Sequence, residues 1–350
     1  MRSGPCRKVH VHDDPTLPMS DLAIRWLPGR RSTAVHGTRV RCRLPARLLR
    51  QSGLDARLLR RREHPLGGPV DVLVLQDPSS AEHVEIARAA AITGTTVVVD
   101  LSDPGAACSD IGRAVAAHAS TVTVPSPGLG KIVEHPRVAF VDDAVEWAHP
   151  SPPVSARPRP GEPARIVWFG RSVGTSAGTG LSELASIQTA LREMAGRRRL
   201  ELVLVTDDRT GAEAFLRSGP IPGRWVDWSP WRLRSVLSAA HVCVLPAGSP
   251  EIALRRSANR AITAIVQGVP VVADPVPSYE ALGAGVSFGS WTSHIERLLA
   301  DQPTAEQQVG AGRDAIRRRF ADDRIVGQWS TAIAAARHHA DELSGVGAPG

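Results

Sequence analysis

Short continuous apolar runs alternate along the chain with segments whose apolar positions recur every three or four residues. The first run, LAIRWL after Met19, is followed by a Gly- and Arg-rich loop (PGRRSTAVHGTR), a helical pattern near 43–52 and a short strand pattern, LDARLL. VDVLVLQ (70–76), TTVVVDL (95–101), STVTVP (120–125) and RVAFV (137–141) come next, with helical patterns at 79–94 and 109–119 between the first three. A strand covered on both faces needs no polar alternation, so Val/Ile/Leu runs separated by helices predict parallel strands inside a doubly wound α/β domain over 19–148.

Residues 149–164, HPSPPVSARPRPGEPA, are crowded with proline and carry no apolar period, which predicts a semi-rigid linker. The pattern then restarts with RIVWFG (165–170), a helix near 180–197, LELVLVTD (200–207), a short helix near 211–217 and RWVDW. WRLRSVLSAAH reads as a helix, VCVLP (242–246) as a strand, SANRAITAIVQG as a helix and PVVAD (270–274) as a strand, with helices to the end. The predicted organisation is therefore two Rossmann-like doubly wound domains, 19–148 and 165–325, facing each other across a cleft. A helix follows at 326–343 and a tail at 344–350. Ligands of such sheets bind beyond the carboxyl ends of the strands. Residues 1–18 have no periodicity and predict a disordered leader, with Met19 as an alternative start.

Composition sharpens this picture. The 350 residues are 42% hydrophobic and 22% charged, with no apolar run long enough for a membrane span, which predicts a globular, cytoplasmic protein. Cys6, Cys42, Cys108 and Cys243 form no CxxC pair, so free thiols and no structural zinc are expected. The net charge is +7, yet residues 20–63 alone hold twelve arginines against Asp21, Asp55 and Glu63. That surplus predicts either a solvated basic face or peripheral contact with an anionic membrane. Nucleic acid is a weaker partner for it, because aromatics are only 4% and the basic segment lacks the interleaved rings that stack bases.

The most informative chemistry lies in RRSANRAITAIVQGVPVVADPVPSYEAL, residues 255–282. Ser257 is a good N-cap, Asn259 and Arg260 fall in the first helical turn, and Arg255 and Arg256 precede it. A helix start offers unpaired N–H groups and a positive dipole end, so adjacent arginines and a hydroxyl suit a diphosphate; the same residues also suit a capped helix with solvated arginines.

The order basic-Ser-x-Asn-Arg, helix, Gly-x-Pro-Val-Val-Ala, Pro-Ser-Tyr-Glu resembles the donor-binding half of family-4-like glycosyltransferases of the two-Rossmann GT-B fold. The stretch 225–246 resembles that family's base-contacting strand, helix and following strand. The resemblance spans roughly 165–290 and is weak over 20–145. It implies a hexosyltransferase-like enzyme using a nucleotide-diphosphate-sugar as co-substrate, with no cofactor or metal, and a glycan, lipid-linked or small-molecule acceptor. Arg256, Ser257, Asn259 and Arg260 would hold phosphate, Pro277, Ser278, Tyr279 and Glu280 would line the donor pocket, and Gly170 and Arg171, in the first loop of the second domain, would also bind donor, with Arg171 as the phosphate contact. Many retaining members carry two glutamates where this chain has Arg255 and Thr263, and a lysine after Gly-Arg that is missing here.

In the first domain, the loop after the first strand places Ser32, His36, Gly37, Thr38 and Arg39 where this fold admits the acceptor. Gly37 would allow close backbone approach, and Thr38 and Arg39 would bind acceptor. Asp100 and Asp103 end another strand; Asp100, with His36, is the candidate for general-base work, and Asp103 for acceptor binding or a helix cap. His118, Asp142 and Asp143 read as helix ends and turns. His10, His12, Asp13 and Asp14 lie in the leader, where no strand supports a metal site. Alternatives to the enzyme are a degenerate sugar-nucleotide binder, motivated by Thr263, and a basic nucleic-acid-binding protein.

Overall fold

The computed structural model describes residues 21–30, 32, 35–60, 63–147, 151–154, 158–171 and 180–345. The leader, with His10, His12, Asp13 and Asp14, and the tail beyond 345 lie outside the described residues. The first domain is a six-stranded parallel sheet, β1 (Ala23–Pro28), β2 (Asp55–Leu58), β3 (Val72–Gln76), β4 (Thr96–Asp100), β5 (Thr121–Val124) and β6 (Val138–Phe140), in the order β2-β1-β3-β4-β5-β6. Its helices are α1 (Leu44–Gln51), α2 (Ala81–Ile92), α3 (Pro104–Cys108), α4 (Asp110–Ala116) and α5 (Pro127–Gly130). The predicted strands recur, and every residue of β1, β3, β4 and β5 is buried, as their unbroken apolar runs require. The predicted helix at 43–52 is preceded by one turn of π-helix, Thr38–Arg43. The second domain repeats the plan with β7 (Ala164–Phe169), β8 (Leu200–Thr206), β9 (Gly223–Asp227), β10 (Val242–Leu245), β11 (Val271–Ala273) and β12 (Val286–Phe288), ordered β12-β11-β10-β7-β8-β9. Three residues of β12 within VSF were too short a run to read from sequence.

The helices of the second domain are α6 (Gln188–Ala195), α7 (Arg209–Ser218), α8 (Pro230–Leu237), α9 (Pro250–Arg255), α10 (Asn259–Val266), α11 (Pro277–Glu280), α12 (Trp291–Ala300) and α13 (Gln302–Arg319), preceded at α6 by a 3-10 segment, Gly180–Ile187. α14 (Asp322–Gly345) belongs elsewhere. Its Ile325, Trp329, Ile333 and Ala336 pack into the first domain's core beside Leu22, Ile24 and Trp26, and the Trp329 and Trp26 rings meet edge to face at 5.5 Å. The proline segment also is less free than a spacer, since the Ser151 and Val154 amides donate to the Val266 and Gly268 carbonyls at 3.1 Å each.

A buried polar network ties this domain together. Arg41, in the π-helical turn and with no exposed surface, donates from Nε to Asp100 Oδ2 at 3.1 Å, from Nη2 to Asp100 Oδ1, and from Nη1 to the Val141 carbonyl. Asp143 Oδ1 is 3.4 Å from Arg41 Nη1, Thr123 Oγ1 donates to Asp100 Oδ1 at 2.6 Å, and the guanidinium stacks on Trp329 at 5.4 Å. Burial works against the charge of Arg41, but the two carboxylates outweigh it and hold its pKa above the ordinary value. Next to it, the Asp77 amide donates to the Asp100 carbonyl at 2.8 Å, and Asp77 adopts a left-handed φ of 42° that only a few non-glycine residues tolerate. Its carboxylate accepts from the Ser102 amide at 2.7 Å and from the Ser102 hydroxyl, yet burial prevails and pushes its pKa up to about 7.

Asp100→Ala strands the Arg41 charge in the core and is expected to destabilise the protein by about 3–5 kcal/mol, read as an early chemical-denaturation midpoint. Asp77 acts with the opposite sign. Its folded-state pKa lies above the ordinary 3.8, so its contribution to stability is fully present below that value and is lost as pH rises towards about 7. Asp77→Asn should therefore flatten the fall in stability between pH 4 and 7, measured by denaturation at stepped pH.

Candidate functional site

The cleft is lined on its second-domain side by the ends of β7 and β10 and the start of α10. Arg256 and Arg260 converge there on one carboxylate, Glu183, in the 3-10 segment. Arg256 Nη1 lies 3.1 Å from Glu183 Oε2 with Nη2 on Oε1, and Arg260 Nη2 lies 3.2 Å from Oε2. Glu183 Oε1 also accepts from the Gly180 amide at 2.9 Å. Glu183 is buried, while Arg256 and Arg260 keep 14% and 20% of their side chains exposed towards the cleft. Burial raises the Glu183 pKa above its ordinary value even against Arg260. Tyr279 is buried with its hydroxyl facing Arg260, and burial pushes its pKa up as well. At Gly170 a Cβ would come within 3.1 Å of the Trp168 ring and 3.3 Å of Arg260 Nη1, so the glycine leaves the guanidinium its place.

The start of α10 differs from the sequence expectation. Ala258, already helical at φ −72° and ψ −3°, is the cap residue and makes no side-chain cap bond. Ser257 is therefore displaced from capping, and its hydroxyl faces Asp143 of the first domain. Asn259 Oδ1 accepts from Thr263 Oγ1 at 3.4 Å, so its amide turns along the helix. The first amides of α10 thus carry the dipole's positive end with no side chain covering them from the cap position. Arg171 is half exposed and paired to Asp207 at 3.0 Å; Ser278 Oγ is buried with no hydrogen-bond partner among the described residues, and Pro277 and Glu280 are exposed.

Across the cleft, His36 Nε2 lies 3.8 Å from Asp143 Oδ2. Burial opposes ionisation of Asp143, but His36, Arg41 and Ser257 outweigh it and hold its carboxyl below the ordinary range. This brings His36 and Asp143 together with Ser257 just ahead of α10, a grouping that sequence alone does not assemble because Asp143 lies in an unpatterned loop.

Several expected site residues are committed elsewhere. Asp100 has both oxygens engaged by Arg41 and Thr123 and no exposed surface, so it is an internal counter-ion and not a general base. Arg39 is paired with Glu146 at 2.6 Å and stacked on Trp228 of the second domain at 5.0 Å, an interdomain strut instead of an acceptor contact. Thr38 is buried with its hydroxyl on the Arg30 carbonyl at 2.5 Å. A Cβ at Gly37 would lie 2.5 Å from Gln76 Nε2, so the approach it permits is to Gln76 and not to a ligand. Asp103 caps α3 through the Gly105 amide at 2.7 Å. His118 precedes β5 and lies at the strands' amino ends, away from the cleft, and Asp142 holds Arg319 and Gln328 at 3.2 and 3.0 Å. Ser32 is exposed.

Two features had no sequence signal. Glu183 stands in a segment with no motif, and a cavity of about 470 Å³ opens between β1, the loop before β3 and the start of α2, lined by Gly29, Glu63, His64, Ser80, Glu82 and His83. The second domain leans on the first at one further point: a Cβ on Gly128 would fall 1.8 Å from the Leu254 carbonyl, and Ser126 Oγ donates to the Arg255 carbonyl at 3.1 Å. Glycine at 128 thus lets α5 seat the segment that carries Arg255 and Arg256.

No protein-family model and no curated protein matches the sequence. Solved structures do match. HepE of Anabaena, in complex with UDP and glucose, aligns over 89% of this chain and 99% of its own at a TM-score of 0.61 and 14% identity. A glycosyltransferase from Rickettsia africae aligns over 90% and 97%, at 0.57 and 10%. The apo form of the lipopolysaccharide outer core galactosyltransferase WaaB aligns over 89% and 99%, at 0.54 and 11%. Two six-stranded parallel sheets joined by a crossing C-terminal helix, aligned end to end with these proteins, give this chain the GT-B fold.

Proposed function

We propose that the chain is a glycosyltransferase that takes a sugar from a nucleotide-diphosphate-sugar and transfers it to a hydroxyl-bearing glycan, lipid-linked or small-molecule acceptor. The observation that carries this reading is the convergence of Arg256, Arg260 and the start of α10, which no side-chain cap bond closes, at the carboxyl end of β7. Guanidiniums and backbone amides aimed at one spot stabilise a departing diphosphate, whose charge grows as the bond to the sugar breaks. Two buried guanidiniums supply the positive charge that a divalent ion supplies in other designs, and the reading therefore carries no metal. The complexes of HepE with UDP and glucose and with UDP-glucose support a uridine donor.

On the opposite wall His36, oriented by Asp143, is the group assigned to the acceptor side. The cavity lined by His64, Glu82 and His83 gives the acceptor polar partners for its hydroxyls. Holding both substrates between two domains, with Arg39 on Trp228 as a strut, turns a two-body encounter into a placed reaction. A binder without turnover is the second reading, favoured by Thr263 bonding Asn259 where the resembling enzymes carry a carboxylate.

No helix of the described residues is long and apolar enough to cross a membrane. A cytoplasmic location with peripheral contact at an anionic membrane is part of the proposal. It rests on exposed Arg43, which ends the π-helical turn, and Arg47 and Arg50 on α1, a helix with no exposed large hydrophobic side chain, so the contact would be electrostatic and weakened by salt.

Calorimetry with UDP, GDP, TDP and ADP is expected to show saturable binding of one nucleotide to the wild type and none to Arg260→Ala; no binding by the folded wild type would refute the donor site. With the matching sugar donor, His36→Gln should lower kcat by about 10²-fold or more while leaving nucleotide affinity intact, and chelator should leave the wild-type rate unchanged. Donor binding with no hydrolysis or transfer would select the second reading.

A further inference from the structure

Glu183 is not explained by diphosphate binding, since a carboxylate beside a phosphate repels it. Its placement is nonetheless specific. It is buried, anchored by the Gly180 amide, and it bonds both arginines assigned to phosphate at once. The charged groups facing it are Arg256 and Arg260, with the Tyr279 hydroxyl behind Arg260. The cluster therefore carries two positive charges and one negative.

We propose that Glu183 is an internal counter-anion of the donor site, which holds Arg256 and Arg260 in their bound geometry while the site is empty and competes with the diphosphate for them once it is filled. This rests on the donor-site reading above and goes beyond it by assigning the site's affinity to a residue that touches no ligand. Two consequences follow from charge alone. An empty site with two unpaired, partly buried guanidiniums would repel itself, and the carboxylate removes that cost. The diphosphate of a sugar donor also gains charge once the sugar leaves, because its outer phosphate becomes a monoester, so an uncompensated pair of arginines would bind the product more tightly than the substrate. Glu183 weakens the hold on both, and on the more charged product most, which favours release.

The test uses Glu183→Gln, which keeps an oxygen for the arginines and removes the charge. UDP affinity, measured by calorimetry on the full chain, should rise about tenfold, with a smaller rise for UDP-glucose and a fall in both kcat and KM. Should that variant not fold, Arg256→Gln is compared with Glu183→Gln/Arg256→Gln, in which the cluster returns to its native net charge. The double variant is expected to bind UDP more tightly than Arg256→Gln alone. If Glu183→Gln binds UDP no better than the wild type, or the double variant no better than Arg256→Gln, Glu183 only positions the arginines and the proposal is overturned while the donor site stands. If the wild type binds no nucleoside diphosphate, the donor site falls and this assignment with it.

Discussion

The first domain is organised around one buried cation. Arg41 has no access to water, so its five donors must be met inside the protein, and the groups that meet them come from the end of β4, the loop after β6 and the ring of Trp329 on the returning helix. Each of these is distant in sequence from the π-helical turn that carries the arginine. A hydrophobic residue there would let the loop, the strand and the helix slide over one another; a guanidinium with fixed partners gives them one register. Asp143, held by Arg41 on one side, is presented to His36 and Ser257 on the other, so the cleft inherits its geometry from the core.

Most of the fold was legible because its strands are buried on both faces and therefore appear as unbroken Val/Ile/Leu runs. β3, β4 and β8 stand where VDVLVLQ, TTVVVDL and LELVLVTD put them. β12, at three residues, carried too little apolar length, and the destination of α14 could not be read at all, since a helix with an apolar stripe does not state which domain it covers. In the site, Arg256 and Arg260 were legible from a local motif, a basic run beside a helix start. Their shared partner was not, because Glu183 is more than seventy positions away and has no pattern around it.

Asp100, Arg39 and Asp103 are singled out by position, at strand ends facing a cleft, and strand ends do collect function in this fold. The same ends also collect the polar groups that terminate strands, cap helices and lock domains. Asp100 serves the first need by closing β4 on Arg41, Asp103 the second through the Gly105 amide, and Arg39 the third through Glu146 and Trp228. Asp100, with both oxygens engaged inside the protein and no exposed surface, is fully committed to the core, whereas Asp103 stays exposed.

The returning helix changes the order in which the molecule is made. Trp26 and Ile24 leave the ribosome well ahead of the ring and aliphatic side chains that cover them, Trp329, Ile333 and Ala336, which follow more than three hundred residues later. At about 5–20 residues per second the early sheet waits tens of seconds with one face uncovered, exposed to other hydrophobic surfaces. The buried core of the second domain lies within residues 164–320, with Val145, Trp147 and Val154 packed against it, so it is complete before α14 is made. The half that comes first in the chain is therefore covered last, after the half that follows it.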